Sequence, residues 1–133
     1  MSSQNGLVSL VARILLGLVF FVAGVGKVMG YAGTVQYATS AGLPMPSIGV
    51  PVGIAIEIAM PLLLFLGFKT NWAAIALIVF TLVATYFFHD FWTMEGQAKM
   101  LNQVMFLKNL ALVGGLMLLA AWGPGRYSLD ARR

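Results

Sequence analysis

Residues 102–122 read NQVMFLKNLALVGGLMLLAAW. About 20 residues at roughly 1.5 Å each span about 30 Å of hydrocarbon, so this run is long enough to cross a bilayer as one helix. Lys108 and Asn109 interrupt it about one-third of the way in. A lysine at such depth costs about 2.5–3.5 kcal/mol on insertion scales, which makes what it meets the central functional question. Two readings are open. Lys108 lies about 9 Å inside the nearer edge at helical rise, so its aliphatic stem can carry the ammonium out to the headgroups. Alternatively it has an internal polar partner.

Composition sets the class. The chain has 133 residues, 60% of them hydrophobic and only 9% charged, far from the roughly 25% charged of soluble domains. Mean hydropathy is +0.91. An integral membrane domain of a few spans accounts for the whole length, with no room for a separate soluble catalytic domain. The net charge of +4 is then a topology signal and gives no reason to invoke nucleic acid. Without cysteine the chain has no disulfide, thiol relay or cysteine metal site, so redox chemistry requires a bound cofactor or a partner.

Working outward, residues 6–29 form the first expected span. Arg13 inside the apolar run and the lack of a small-residue cleavage site argue against a secretory signal. On a 100° wheel Arg13, Gly17, Phe20, Gly24 and Lys27 fall within about 80° of one another. The small residues suit close helix pairing, with the two cations either pairing internally or anchoring the ends. Residues 30–47 carry Gly33, Gly42, Pro44 and Pro46 and read as a loop, with a short interfacial helix over 31–40 or a buried re-entrant turn.

The second span covers 48–68 and places Glu57 about 14 Å deep. Pro61, four residues on, has no N–H for the Glu57 carbonyl, so one turn presents a carboxylate and a free carbonyl. Glu57 is expected to face inward, either paired with Lys27, Lys108 or Arg13, or handling protons or a ligand in a polar cavity. Residues 68–71 make a tight turn, so the span at 72–88 runs antiparallel to the second. It carries Thr81, Thr85 and His89 at four-residue intervals and ends in an aromatic belt. His89 and Asp90 therefore lie at the membrane edge, where His89 is either a hydrated headgroup-level residue or a proton-handling one. One histidine and scattered carboxylates do not make a metal site.

In the fourth span, 102–122, Asn102, Phe106, Asn109 and Val113 share a face, and Lys108 and Gly115 share another about 100° away. Gly114 and Gly115 are expected to pack against a neighbouring helix. The sum is an all-α, antiparallel four-helix membrane bundle in one domain. Four spans put both termini on one side, with Arg13, Lys69, Arg126, Arg132 and Arg133 there against Lys27 and Lys99 on the other. The positive-inside rule then makes the termini cytoplasmic.

The motifs RILLG (13–17), FVAGVGK (21–27), GLP (42–44), Glu57 followed by Leu66 and Gly67, FHDFW (88–92), FLKNLALVGG (106–115) and GPGRYSLD (123–130) occur in order along nearly the whole chain. In these the chain resembles the DoxX family of small bacterial inner-membrane proteins. The resemblance implies a multi-pass inner-membrane bundle and a link to quinone-reducing redox complexes, which makes a quinone the implied cofactor and a second copy or a redox subunit the implied partner. The first expectation is a redox-associated subunit whose polar intramembrane site, drawn from Lys27, Glu57, His89, Asp90, Lys108 and Asn109, binds a quinone-like or small aromatic molecule between Phe20, Phe87, Phe88 and Phe106. The alternatives are a proton or solute path through the same residues, and a structural subunit that recruits soluble partners.

Overall fold

The computed structural model describes residues 6–132. Its helices are α1 (Gly6–Met29), α2 (Tyr31–Ser40), α3 (Pro46–Leu66), α4 (Thr70–Phe88) and α5 (Gly96–Trp122), with single 3-10 turns at Phe91–Thr93 and Asp130–Arg132. Four of these elements, α2 excepted, are long and apolar enough to cross a membrane. The expected all-α four-span architecture is the one observed.

Helix α1 buries Gly6, Ser9, Arg13, Gly17, Phe20 and Gly24, a stripe at helical spacing, while its valines and Leu7, Leu15 and Leu18 face outward. That stripe lies on α3. A Cβ at Gly17 would sit 2.7 Å from the Phe65 ring, and one at Gly24 would sit 2.9 Å from Ile58 Cγ1 and 3.0 Å from Glu57 Cβ. Helix α4 packs on α5, and α3 joins the two pairs through α4. Helices α1 and α5 meet mainly where Gly115 receives Leu16, a Cβ there falling 3.0 Å from its side chain. Gly114 differs from the expectation. It has nothing within 4 Å of a Cβ, because it stands off the face that carries Val113 and Leu116 inward.

The apolar core occupies one half of the bundle. Phe20, Leu64, Ala73, Ala74, Leu77, Leu116 and Leu119 fill the half nearer the termini. The other half holds only a small cluster of Ala38, Val50 and Ile54, where α2 rests on α3. The roof is the short helix α2, packed by Tyr37 stacking on Phe88 at 5.2 Å.

The end near the termini is closed by the chain itself. Arg13, with an exposure of 0%, does not anchor a helix end at the headgroups. Its Nε donates to the Pro124 carbonyl at 3.0 Å, Nη1 to those of Leu64 and Phe65 at 2.7 and 3.3 Å, and Nη2 to that of Tyr127. Two of these acceptors belong to the last turn of α3, where carbonyls lack intrahelical donors and the helix dipole favours a cation. The tail continues over the same end, with Leu129 N–H donating to Leu66 O at 3.1 Å and Asp130 N–H to Gly67 O at 2.8 Å. Gly67, at φ 66°, leaves room that a side chain would take from Ser128 and Arg13.

Asp130 then alters the hairpin between α3 and α4. Its carboxylate accepts from the N–H groups of Lys69 and Thr70 at 2.8 and 2.9 Å, capping α4 from a distant part of the chain. The helix consequently begins at Thr70, two residues before the expected span, and the turn shrinks to 67–69. Helix α5 likewise begins at Gly96 instead of 102, since its polar first turns continue the helix beyond the apolar run.

This closure yields a prediction. Arg13→Met leaves carbonyls from α3 and the tail without their shared donor, and should lower stability in detergent by about 3 kcal/mol or more. Arg13→Lys, with no planar fork, should recover only part of it. Asp130→Ala should cost about 1 kcal/mol. Thermal unfolding read by circular dichroism measures all three, and equal melting temperatures for Arg13→Met and the parent would show that the clasp carries no stability.

Candidate functional site

Because the core fills only one half, the other half contains a cavity of about 760 Å³ lined by all four spans and α2. Its walls are largely apolar, with Phe20 of α1, Ile56 of α3, Val79 and Phe80 of α4, and Leu112 of α5 among them. Lys27, Glu57, Thr81, His89, Lys108 and Asn109 supply its polar groups. Five of the six residues named from sequence as ligand-binding or proton-handling candidates therefore border one space.

Glu57 is buried and paired. Lys27 Nζ stands 2.5 Å from Glu57 Oε1, the lysine side chain being 40% exposed and the glutamate 5%. Gly24 makes this contact possible, since it brings the α1 backbone within van der Waals reach of Glu57 one turn before Lys27. Lys27 also lies 5.7 Å above the Phe80 ring, a second stabilising contact for its charge. Of the three cations considered for Glu57, Lys27 is the partner. Arg13 is engaged at the far end of the bundle, and Lys108 makes no ion pair among the described residues.

The α4–α5 wall carries the remaining groups. Asn109 Nδ2 donates to Thr85 Oγ1 at 2.9 Å, and the Thr85 and Thr81 hydroxyls each donate back to their own helix at 2.6 Å. Asn102 Nδ2 donates to Ala98 O at 2.9 Å and presents Oδ1 to His89 Nδ1 at 2.8 Å. That contact holds the His89 ring against α5, and the imidazole borders the cavity. Lys108 borders the cavity and is exposed.

Asp90 is elsewhere. Thr93 Oγ1 donates to its carbonyl at 2.9 Å and to its carboxylate at 3.1 Å, so Asp90 shapes the 3-10 turn and pairs with no lysine. The aromatic walls also differ in part from the sequence expectation. Phe20 and Phe88 line the cavity, but Phe106 packs with Phe91 and Trp92, and Phe87 packs on Tyr86. Phe80, Tyr37 and Thr34 take part instead. Nothing in the helical period singles these out, because the placement of α2 over the cavity is a tertiary fact.

The Lys27–Glu57 pair gives a second prediction. Glu57→Gln and Lys27→Met should each destabilise the protein, and the double variant should be less harmful than the sum by about 0.5–3 kcal/mol. Pairing Glu57→Gln with Lys108→Met should give additive losses. A cycle of thermal denaturation measurements decides, and additivity with Lys27 would remove the coupling.

The DoxX family profile matches residues 8–90. Inner membrane protein YphA of Escherichia coli (strain K12) is 41% identical over 92% of this chain and 88% of its own length. Inner membrane protein YqjF of the same organism is 42% identical over 91% of this chain and 88% of its own length. The Bacillus subtilis (strain 168) protein named "Putative oxidoreductase CatD" is 40% identical over 47% of this chain and 46% of its own length. No solved structure gives a significant match. With four membrane-length apolar helices and these relatives, the chain is a multi-pass inner-membrane protein and belongs to the DoxX family.

Proposed function

We propose that this protein is a redox-associated membrane subunit whose intramembrane cavity binds a quinone-like or small aromatic molecule. The observation that carries the reading is the cavity itself. At about 760 Å³ it falls in the range of about 300–1,000 Å³ typical of small-molecule sites, with apolar walls and a few polar groups. The resemblance of part of the chain to CatD, a protein named as an oxidoreductase, supports the redox association.

The donor set fits a quinone. Aromatic side chains of Phe20, Phe80 and Phe88 offer ring faces, while the Lys108 ammonium and the Asn109 amide supply N–H donors for the quinone oxygens and His89 borders the same cavity. A bound quinone supplies reversible acceptance of two electrons and two protons. The protein's residues bind and orient the polar edge, exclude bulk water through the α2 roof, and hold charge at the Lys27–Glu57 pair. Electrons enter through a partner subunit in this reading, since the chain has no cysteine. A continuous proton or solute path is favoured less, because the Thr81 and Thr85 hydroxyls spend their hydrogens on their own helix.

We also place both termini in the cytoplasm. Arg13, bonded to carbonyls, is removed from the topology count, and Arg133 lies outside the described residues. Lys69, Arg126 and Arg132 still outnumber Lys99 as exposed cations flanking the spans, and the positive-inside rule applies to those.

Two measurements follow. A soluble quinone analogue should bind the purified protein, with Lys108→Met and His89→Ala each weakening it about 10-fold. Absence of binding to the parent, or equal binding by all three proteins, would remove the site. For topology, a fluorescent reporter fused at the C-terminus should fluoresce and a phosphatase that needs the periplasm should be silent there. The opposite pattern would invert the orientation.

A further inference from the structure

The charges around the cavity do not balance, and the imbalance is localised. Lys27 and Glu57 neutralise each other at 2.5 Å, and Lys27 has the Phe80 face besides. Asp90, the nearest acid in sequence to the cavity-lining His89, does not line the cavity, and its carboxylate accepts from Thr93. Glu95 precedes α5 and does not line the cavity. Lys108 is left as a cavity-lining cation with no ion pair among the described residues. It lies about 9 Å inside the apolar run of α5 at helical rise, its side chain exposed and bordering a cavity whose walls are largely apolar. A lone ammonium in such surroundings is costly, and a matching anion repays that cost.

From this we infer that the cavity takes, besides a neutral quinone-like molecule, a monoanionic amphiphile, an anionic head on an apolar body, with Lys108 as the receptor for the head. The inference rests on the cavity being a ligand site and adds the charge class of what it takes. The head sits against Lys108 Nζ, with the Asn109 amide as the donor next to it on α5. The apolar body lies along Phe20, Phe80 and Leu112. Lys27 is not the receptor, because an anion there would have to displace Glu57 from its own buried partner. The helices supply the route of entry. Helices α1 and α5 meet at Leu16 and Gly115, in the core-filled half, while Lys27 and Lys108 border the cavity in the other half. An amphiphile could enter there from the bilayer with its head held at the level of Lys108.

The test uses the full chain in nanodiscs of zwitterionic lipid with no net charge, titrated with decyl sulfate and with decanol, which share a tail and differ in head charge. Empty nanodiscs serve as the blank in calorimetry. The parent protein should bind decyl sulfate about 10-fold or more tightly than decanol, the factor expected for one charge-assisted contact. Lys108→Met should abolish that preference and leave decanol binding in place, and Lys108→Arg should restore it. Lys99→Met, which removes an exposed cation outside the cavity, should keep the preference and so separates the site from general surface charge. Equal binding of the two probes by the parent, or a preference that survives Lys108→Met, overturns the assignment of an anionic ligand while the cavity stands as a site for neutral molecules. Binding of neither probe overturns the anionic assignment; if the soluble quinone analogue is also silent, the ligand-site reading falls with it.

Discussion

Arg13 is a cation held without exposure inside an apolar bundle, and the arrangement of the chain around it follows from that constraint. A guanidinium out of water needs its N–H groups satisfied in a planar fork. Here it draws carbonyls from the last turn of α3 and from the tail beyond α5. Those acceptors are groups that a helix end and a turn leave open in any case. One residue thus ties together the first helix, the end of the second span and the C-terminal tail. The tail so held places Asp130 on the first N–H groups of α4. Glycines complete the clasp where a side chain would collide. Gly67 admits Ser128 and Arg13, and Gly125, at φ 84°, admits Ser9.

Closing one end tightly has a consequence at the other. The large buried side chains gather beside the clasp, while α1 ends at Met29, two residues after Lys27 pairs with the middle of α3. Above that level α2 replaces the spanning helix, and a ten-residue helix cannot fill the volume that a continued α1 would fill. The cavity follows the chain path, with the Lys27–Glu57 pair in its wall, Phe20 and Leu112 toward the apolar core and α2 over it. Pro61 contributes at the same level, since it removes the donor for the Glu57 carbonyl and keeps polar character there.

The charged groups within the spans illustrate distinct solutions to one problem of desolvation. Arg13 is satisfied by backbone carbonyls, and Lys27 with Glu57 by each other. Lys108 has no ion pair among the described residues. Relatives named as inner membrane proteins give the fold and the address without a reaction. The chemistry has to be argued from the groups around the cavity.

Much of this was legible in the sequence. Hydrophobic runs of bilayer length set four spans, tight turns set their antiparallel order, and the wheel of Arg13, Gly17, Phe20 and Gly24 marked the buried stripe of α1. Glu57 was marked as inward by the cost of lipid exposure, but its partner was not, because Arg13, Lys27 and Lys108 all have side chains long enough to reach. The choice of Lys27 depended on the close approach at Gly24. The role of the tail was invisible for a related reason: periodicity describes a helix and its neighbours in sequence, whereas the bonds from Arg13 to Pro124 and from Asp130 to Thr70 join residues 111 and 60 positions apart. Local pattern determined the elements and their burial; only packing in three dimensions decided which charges met, which one stayed unpaired, and where the empty volume was left.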